Sequence, residues 1–86
     1  MDTVLITAKI SDKKKIEFYQ TMESLKTLVK EYCRDLSIET IDENNVVIRI
    51  TFSGAGDLEK NFYNPEFNIL KGTLKGLCNN TTIEFN

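Results

Sequence analysis

The chain has 86 residues, 41% of them apolar and 28% charged, with a formal net charge of -2 and no histidine. A chain of this size is one small domain, residues 1–86, that buries only roughly 60–65% of its unfolded surface, so a second copy would help it. The composition excludes His-based acid–base catalysis, zinc sites that need histidine and a proximal-His haem ligand, and it supplies no electrostatic drive toward nucleic acid or anionic lipid.

No apolar run approaches the ~20 residues of a membrane-spanning helix. The opening MDTVLITAKISDKKK lacks the basic start of an export signal, so the cytoplasm is the expected compartment and no membrane partner is expected. Cys33 and Cys78 are far apart and make no CxxC spacing, which indicates neither a metal site nor a redox motif. No metal or cofactor is expected.

Thr3 to Ile10 alternates as a strand, with Val4, Ile6, Ala8 and Ile10 on one face and Thr3, Leu5, Thr7 and Lys9 on the other. Ser11 or Asp12 is placed to cap a helix through its side-chain oxygen, and that helix is predicted to run to about Arg34. Its apolar stripe is read as Ile16, Tyr19, Met22, Leu25, Leu28, Val29, Tyr32 and Cys33, opposite Lys15, Glu23, Lys26, Lys30 and Glu31. Lys13-Lys14-Lys15 is the one dense charge run; such runs usually belong to a solvated face, with anion recognition as the alternative.

Leu36 to Ile41 and Val46 to Phe52 read as strands joined by Asp42-Glu43-Asn44-Asn45, where asparagine can take the positive φ of a tight hairpin. Ser53-Gly54-Ala55-Gly56 then loosens the chain before a short helix from Asp57 to about Phe62. The GAG run does not match the dinucleotide-binding spacing. Pro65 separates this helix from the next, because it lacks an amide hydrogen and disfavours helical geometry at Asn64.

The second helix, Glu66 to Cys78, is expected to bury Phe67, Leu70, Leu74, Leu77 and Cys78 with Ile69 at the margin. Gly72 and Gly76 lie four apart and suggest close approach of another element. Asn79-Asn80 is read as the end of the helix, and Thr81 to Phe85 as a final strand. Ile83 and Phe85 would share one side of it.

Strand, helix, strand, strand, helix, strand is the split βαβ order of a ferredoxin-like α+β fold: a four-stranded antiparallel sheet with its helices on one face. Val4, Ile6, Ile48, Ile50, Ile83 and Phe85 would meet the helices. Cys33 and Cys78 would end helices of opposite direction, too far apart for a disulfide. The open sheet face would carry Leu5, Thr7, Lys9, Glu39, Ile41, Val47, Arg49, Thr51, Thr82 and Glu84. Leu5, Ile41 and Val47 are an unusual cluster to leave in water, which predicts a face-to-face homodimer.

The strand VLITAKI, the helix entry KKKIEFYQTMESL and the segment ITFSGAGDLEKNFYNPEFNILKGTLKGL together resemble the antibiotic biosynthesis monooxygenase-like proteins of the dimeric α/β-barrel superfamily. The resemblance spans nearly the whole chain. Its most specific part holds Leu58, Asn64-Pro65-Glu66-Phe67 and Leu70-Lys71-Gly72. It implies a homodimer joined through its sheets and, in active members, cofactor-free oxidation of quinol-like aromatics, or haem degradation in a related branch. Members often carry tryptophan at the end of the third strand and histidine in the following helix, where this chain has Phe52 and Asn61.

Phe52 keeps an aromatic wall without an indole donor, and Asn61 can hydrogen-bond but cannot shuttle a proton near neutral pH. Tyr19, Phe52, Asn61, Phe62, Tyr63 and Phe67 are the candidates to line a small apolar pocket between sheet and helices; ordinary packing is the alternative for each. Lys9, Glu39, Arg49 and Glu84 form a second, polar set on the opposite face. No residue is assigned a catalytic role. Three readings stand: a dimeric module binding a small apolar or aromatic ligand, a quinol-type monooxygenase, and a structural dimer.

Overall fold

The computed structural model describes residues 2–86. Its order is β1 (Thr3–Ile10), α1 (Lys15–Val29), β2 (Asp35–Thr40), β3 (Asn45–Thr51), α2 (Ala55–Asn61), α3 (Pro65–Leu77) and β4 (Cys78–Phe85). The strands form one antiparallel sheet in the order β2-β3-β1-β4. This is the ferredoxin-like α+β arrangement expected from the order of elements.

Strand alternation sends every second side chain toward the helices. Val4, Ile6, Ala8 and Ile10 from β1 and Val46, Ile48 and Ile50 from β3 are buried there with Phe18, Met22, Leu25 and Val29 of α1 and Phe67, Leu70, Leu74 and Leu77 of α3. The two central strands therefore supply the floor of the core. No described helix is long and apolar enough to cross a membrane.

The first helix departs from its predicted course. The α-helix ends at Val29, and single 3-10 turns at Asp12–Lys14 and Lys30–Tyr32 flank it. Ser11 makes no side-chain cap; its carbonyl instead accepts from the Lys14 amide at 2.9 Å, closing the tighter turn. The buried stripe runs through Phe18, Met22, Leu25 and Val29, spaced four, three and four. Ile16 is 76% exposed and Leu28 is also exposed, because both fall off the arc that Phe18 begins.

The hairpin between β2 and β3 is closed by Asp42 rather than by an asparagine of positive φ. One Asp42 carboxylate oxygen accepts from the amides of Asn44 at 3.0 Å and Asn45 at 2.9 Å, and the Asn45 side chain donates to both carboxylate oxygens. These bonds, the Asn45 side chain first, hold the Asp42 carboxyl below its ordinary range. The positive φ belongs to Asn80, at 55°. Asn79 and Asn80 lie inside β4, which starts as α3 ends, and the pairing of β4 with β1 shifts register between Thr7 and Lys9. Asparagine tolerates the left-handed region this irregularity needs.

Asn64 and Pro65 punctuate the chain as expected. The Asn64 side chain accepts from the Phe67 amide at 3.0 Å with Pro65 in the first turn of α3, satisfying an amide the helix leaves free. The close-approach reading of Gly72 and Gly76 is overturned, since a Cβ at either would meet nothing within 4 Å. Lys14 donates to the Gly76 carbonyl at 3.1 Å, which ties one lysine of the basic run to the C-terminal end of α3, where the helix dipole favours a cation.

Ile83 and Phe85 do stand on the helix side, opposite Ile6 and Val4, but they are 38% and 41% exposed. The reason is position: β4 is an edge strand and the helices cover its neighbour more fully. The Cys33 and Cys78 thiols are free.

Candidate functional site

The space between sheet and helices at the end of β3 is filled by rings. Phe52, Phe62 and Phe67 are all buried, with centroids 6.4 Å apart for Phe52 and Phe62, 5.5 Å for Phe52 and Phe67, and 5.9 Å for Phe62 and Phe67. These separations lie in the range of edge-to-face and tilted aromatic packing. Phe85 closes the cluster, its ring edge-on to Phe62 at 5.7 Å.

The other pocket candidates sit outside that cluster. Asn61, half-buried, donates its side-chain amide to the Tyr32 carbonyl at 3.2 Å, so it ties α2 to the turn after α1. Tyr63 is 60% exposed and packs its ring edge-on to Phe62 at 5.3 Å. Tyr19 belongs to α1, with Phe18 edge-on at 5.2 Å and its hydroxyl 3.3 Å from the Thr40 hydroxyl. The six candidates thus divide into a three-ring core, a tie and two half-open tyrosines.

The polar set on the open sheet face is also divided. Arg49 and Glu39 form an exposed ion pair at 3.1 Å across β2 and β3. Glu84 lies opposite Leu5 on β4, and Lys9 pairs with Asn45 at the other end of β1. Glu39 and Glu84 stand on β2 and β4, strands three spacings or roughly 14 Å apart, and in different rows. That is too far for the two to share acid–base work on one bond.

Strand register sets the neighbours on this face. One row reads Ser37, Arg49, Leu5, Glu84 and the next Glu39, Val47, Thr7, Thr82. Leu5 and Val47 are therefore diagonal neighbours at the centre of the sheet, half-buried, with threonine beside them. Ile41, at the β2 end, is exposed.

A groove lies on the opposite side, where the edge of β4 meets α3. Ile6, Lys71, Leu74, Lys75, Thr81 and Ile83 line it, and its volume is about 50 Å³. The Lys71 ammonium stands 4.3 Å from the Phe62 ring centre and 4.7 Å from that of Tyr63, and donates to the Phe62 carbonyl at 3.0 Å. Partial burial, and then the like charge of Lys75, push its pKa down. Sequence reasoning did not assign this groove. The spacing of Lys71 and Lys75 beside Leu70 and Leu74 puts both lysines near the buried edge of one helix, but only the pairing of β4 places Thr81 and Ile83 against them.

Neither thiol is an activated nucleophile. Burial, then the Asp35 charge, raises Cys33, and burial raises Cys78, so both stay protonated at neutral pH. No cluster of three or more potential metal-ligating side chains occurs among the described residues.

No family model matches this sequence, and no curated protein does. Solved structures do. A Deinococcus radiodurans protein named a "putative antibiotic biosynthesis monooxygenase" superposes with a TM-score of 0.81 at 15% identity, over 98% of this chain and 88% of its own. A Caulobacter crescentus protein of the same name gives 0.79 at 17% identity, over 95% of this chain and 83% of its own. The chain has their fold. A conserved Methanosarcina mazei protein gives 0.72 at 21% identity, over 98% of this chain and 90% of its own. At these identities the likeness extends to the arrangement of helices and strands, and activity has to be argued from side chains.

Proposed function

We propose that the chain is an antibiotic biosynthesis monooxygenase-like protein that works as a homodimer, sheet against sheet, and holds a small apolar or aromatic ligand without oxidising it. The observation that carries this reading is the asymmetry of the sheet. The helix-facing residues of the central strands are buried against the helices, while Leu5, Thr7 and Val47, at the centre of the other face, are only half-buried. A second copy related by a two-fold axis would place these residues against their own equivalents.

Two positions argue against oxidation. Phe52 is fully buried against Phe62 and Phe67, and the Asn61 side chain is engaged with a backbone carbonyl. Neither residue is free to hold and deprotonate an aromatic substrate. The neighbours' names are the support for a quinol-type monooxygenase. Light scattering and oxygen uptake separate the readings: the expected result is twice the chain mass that persists on dilution, with no oxygen consumed when hydroquinones are added. A dilution-independent monomer would remove the dimer, and steady oxygen uptake lost in Asn61→Ala would restore the enzyme.

A further inference from the structure

The groove between α3 and the edge of β4 combines two features that point to one class of ligand. Ile6, Leu74 and Ile83 give it apolar walls, and Lys71 and Lys75 are the two charged residues among those that line it. We propose that it binds a small organic carboxylate, the hydrocarbon end against Ile6, Leu74 and Ile83 and the carboxylate between the two ammonium groups. This rests on the binding-module reading above and names the ligand class it would take.

The charges are arranged for an anion the chain does not itself supply. Lys71 and Lys75 are one helical turn apart, and like charges at that spacing work against a helix. Among the described residues no carboxylate comes within ion-pairing distance of either; the ion pair formed is Arg49 with Glu39 on the other face of the sheet. An ammonium has three donors. The Lys71 ammonium gives one to the Phe62 carbonyl and rests over two rings, which holds its long side chain in place while leaving donors for a ligand. A pre-positioned cation loses less side-chain freedom on binding than a free surface lysine.

Size and polarity narrow the occupant. At about 50 Å³ the groove is well below the roughly 300–1,000 Å³ of pockets that enclose drug-sized ligands. It suits a fragment that seats one apolar end. A fully hydrated anion such as phosphate would gain nothing from Ile6, Leu74 and Ile83, whereas a neutral aromatic would leave the lysine pair uncompensated. The groove opens on the helix side of the sheet, so a sheet-to-sheet dimer leaves it accessible.

The test is an amide-shift NMR titration of the whole chain with benzoate, benzamide and inorganic phosphate at matched ionic strength. Benzoate is expected to give saturable shifts at Lys71, Leu74, Lys75, Thr81 and Ile83, with benzamide and phosphate each at least about fivefold weaker. Lys71→Gln should weaken benzoate about tenfold, the size of one charge-assisted hydrogen bond, and Lys71→Arg should keep most of the affinity. Because Lys71 also supports Phe62, Lys75→Gln gives an independent check and should weaken benzoate several-fold with the Phe62 amide unmoved. Equal binding of benzoate and benzamide would overturn the carboxylate assignment and leave the binding module standing. Phosphate binding as tightly as benzoate, or no saturable shift at these residues, would overturn the groove as a carboxylate site, whatever light scattering says of the dimer.

Discussion

The two faces of the sheet are made by alternate residues of the same strands, yet they have met opposite fates. On β1, Val4, Ile6, Ala8 and Ile10 are at most 1% exposed, while Thr3, Leu5 and Thr7 are half-buried and Lys9 is open. The helix side is a close-packed interior of interlocking rings and branched chains, with the groove between α3 and β4 at its edge. The open side mixes apolar, hydroxyl and charged groups, a composition that suits it to the proposed second copy. A substitution should therefore cost folding on one face and association on the other.

The largest effect expected is on the covered face. Phe52→Ala or Phe67→Ala removes a ring from the three-ring cluster and should lower stability by about 3–5 kcal/mol in denaturant melts. A cost near 1 kcal/mol would mean that the cluster encloses a void the ring was not filling. Next comes the open face: Val47→Lys puts a charge at its centre, and light scattering should show a folded monomer with an unchanged far-ultraviolet spectrum. Unfolding on this change would make Val47 a core residue and erase the distinction between the faces.

Smaller effects sharpen the boundary. Asn61→Ala should cost about 1 kcal/mol through its bond to the Tyr32 carbonyl, with no change in the subunit mass measured by light scattering. Gly72→Ala should raise stability by about 0.5–1 kcal/mol, since the added methyl meets open space on the outside of α3; a loss would show a neighbour there. Glu39→Gln should change monomer stability by less than about 0.5 kcal/mol, as expected of an exposed ion pair.

Much of this architecture was legible along the chain. The alternation in Thr3–Ile10 and Val46–Phe52, the Asn64-Pro65 break and the spacing of Phe67, Leu70, Leu74 and Leu77 each state a local periodicity, and these elements stand within one residue of where the periodicity put them. Boundaries slipped where other backbone bonds, one local and one between strands, competed. The Ser11 carbonyl closed a 3-10 turn, and pairing with β1 pulled Asn79 and Asn80 into a strand.

The aromatic candidates show the same limit in another form. Residue type marks Phe52, Phe62 and Phe67 as large apolar groups, but a ring that lines a pocket and a ring that fills one have the same sequence signal. Only their mutual distances decide between the two.

By itself, then, the sequence determined the order of elements, the side of the sheet that is covered and the absence of histidine chemistry, because period and composition are properties of the chain alone. The tertiary structure decided what depends on which strands become neighbours. It filled the space at Phe52, left β4 at the edge with Ile83 and Phe85 half exposed, and brought Thr81 and Ile83 beside Lys71 and Lys75. Such encounters between residues distant along the chain are set by packing and register, and no local pattern encodes them.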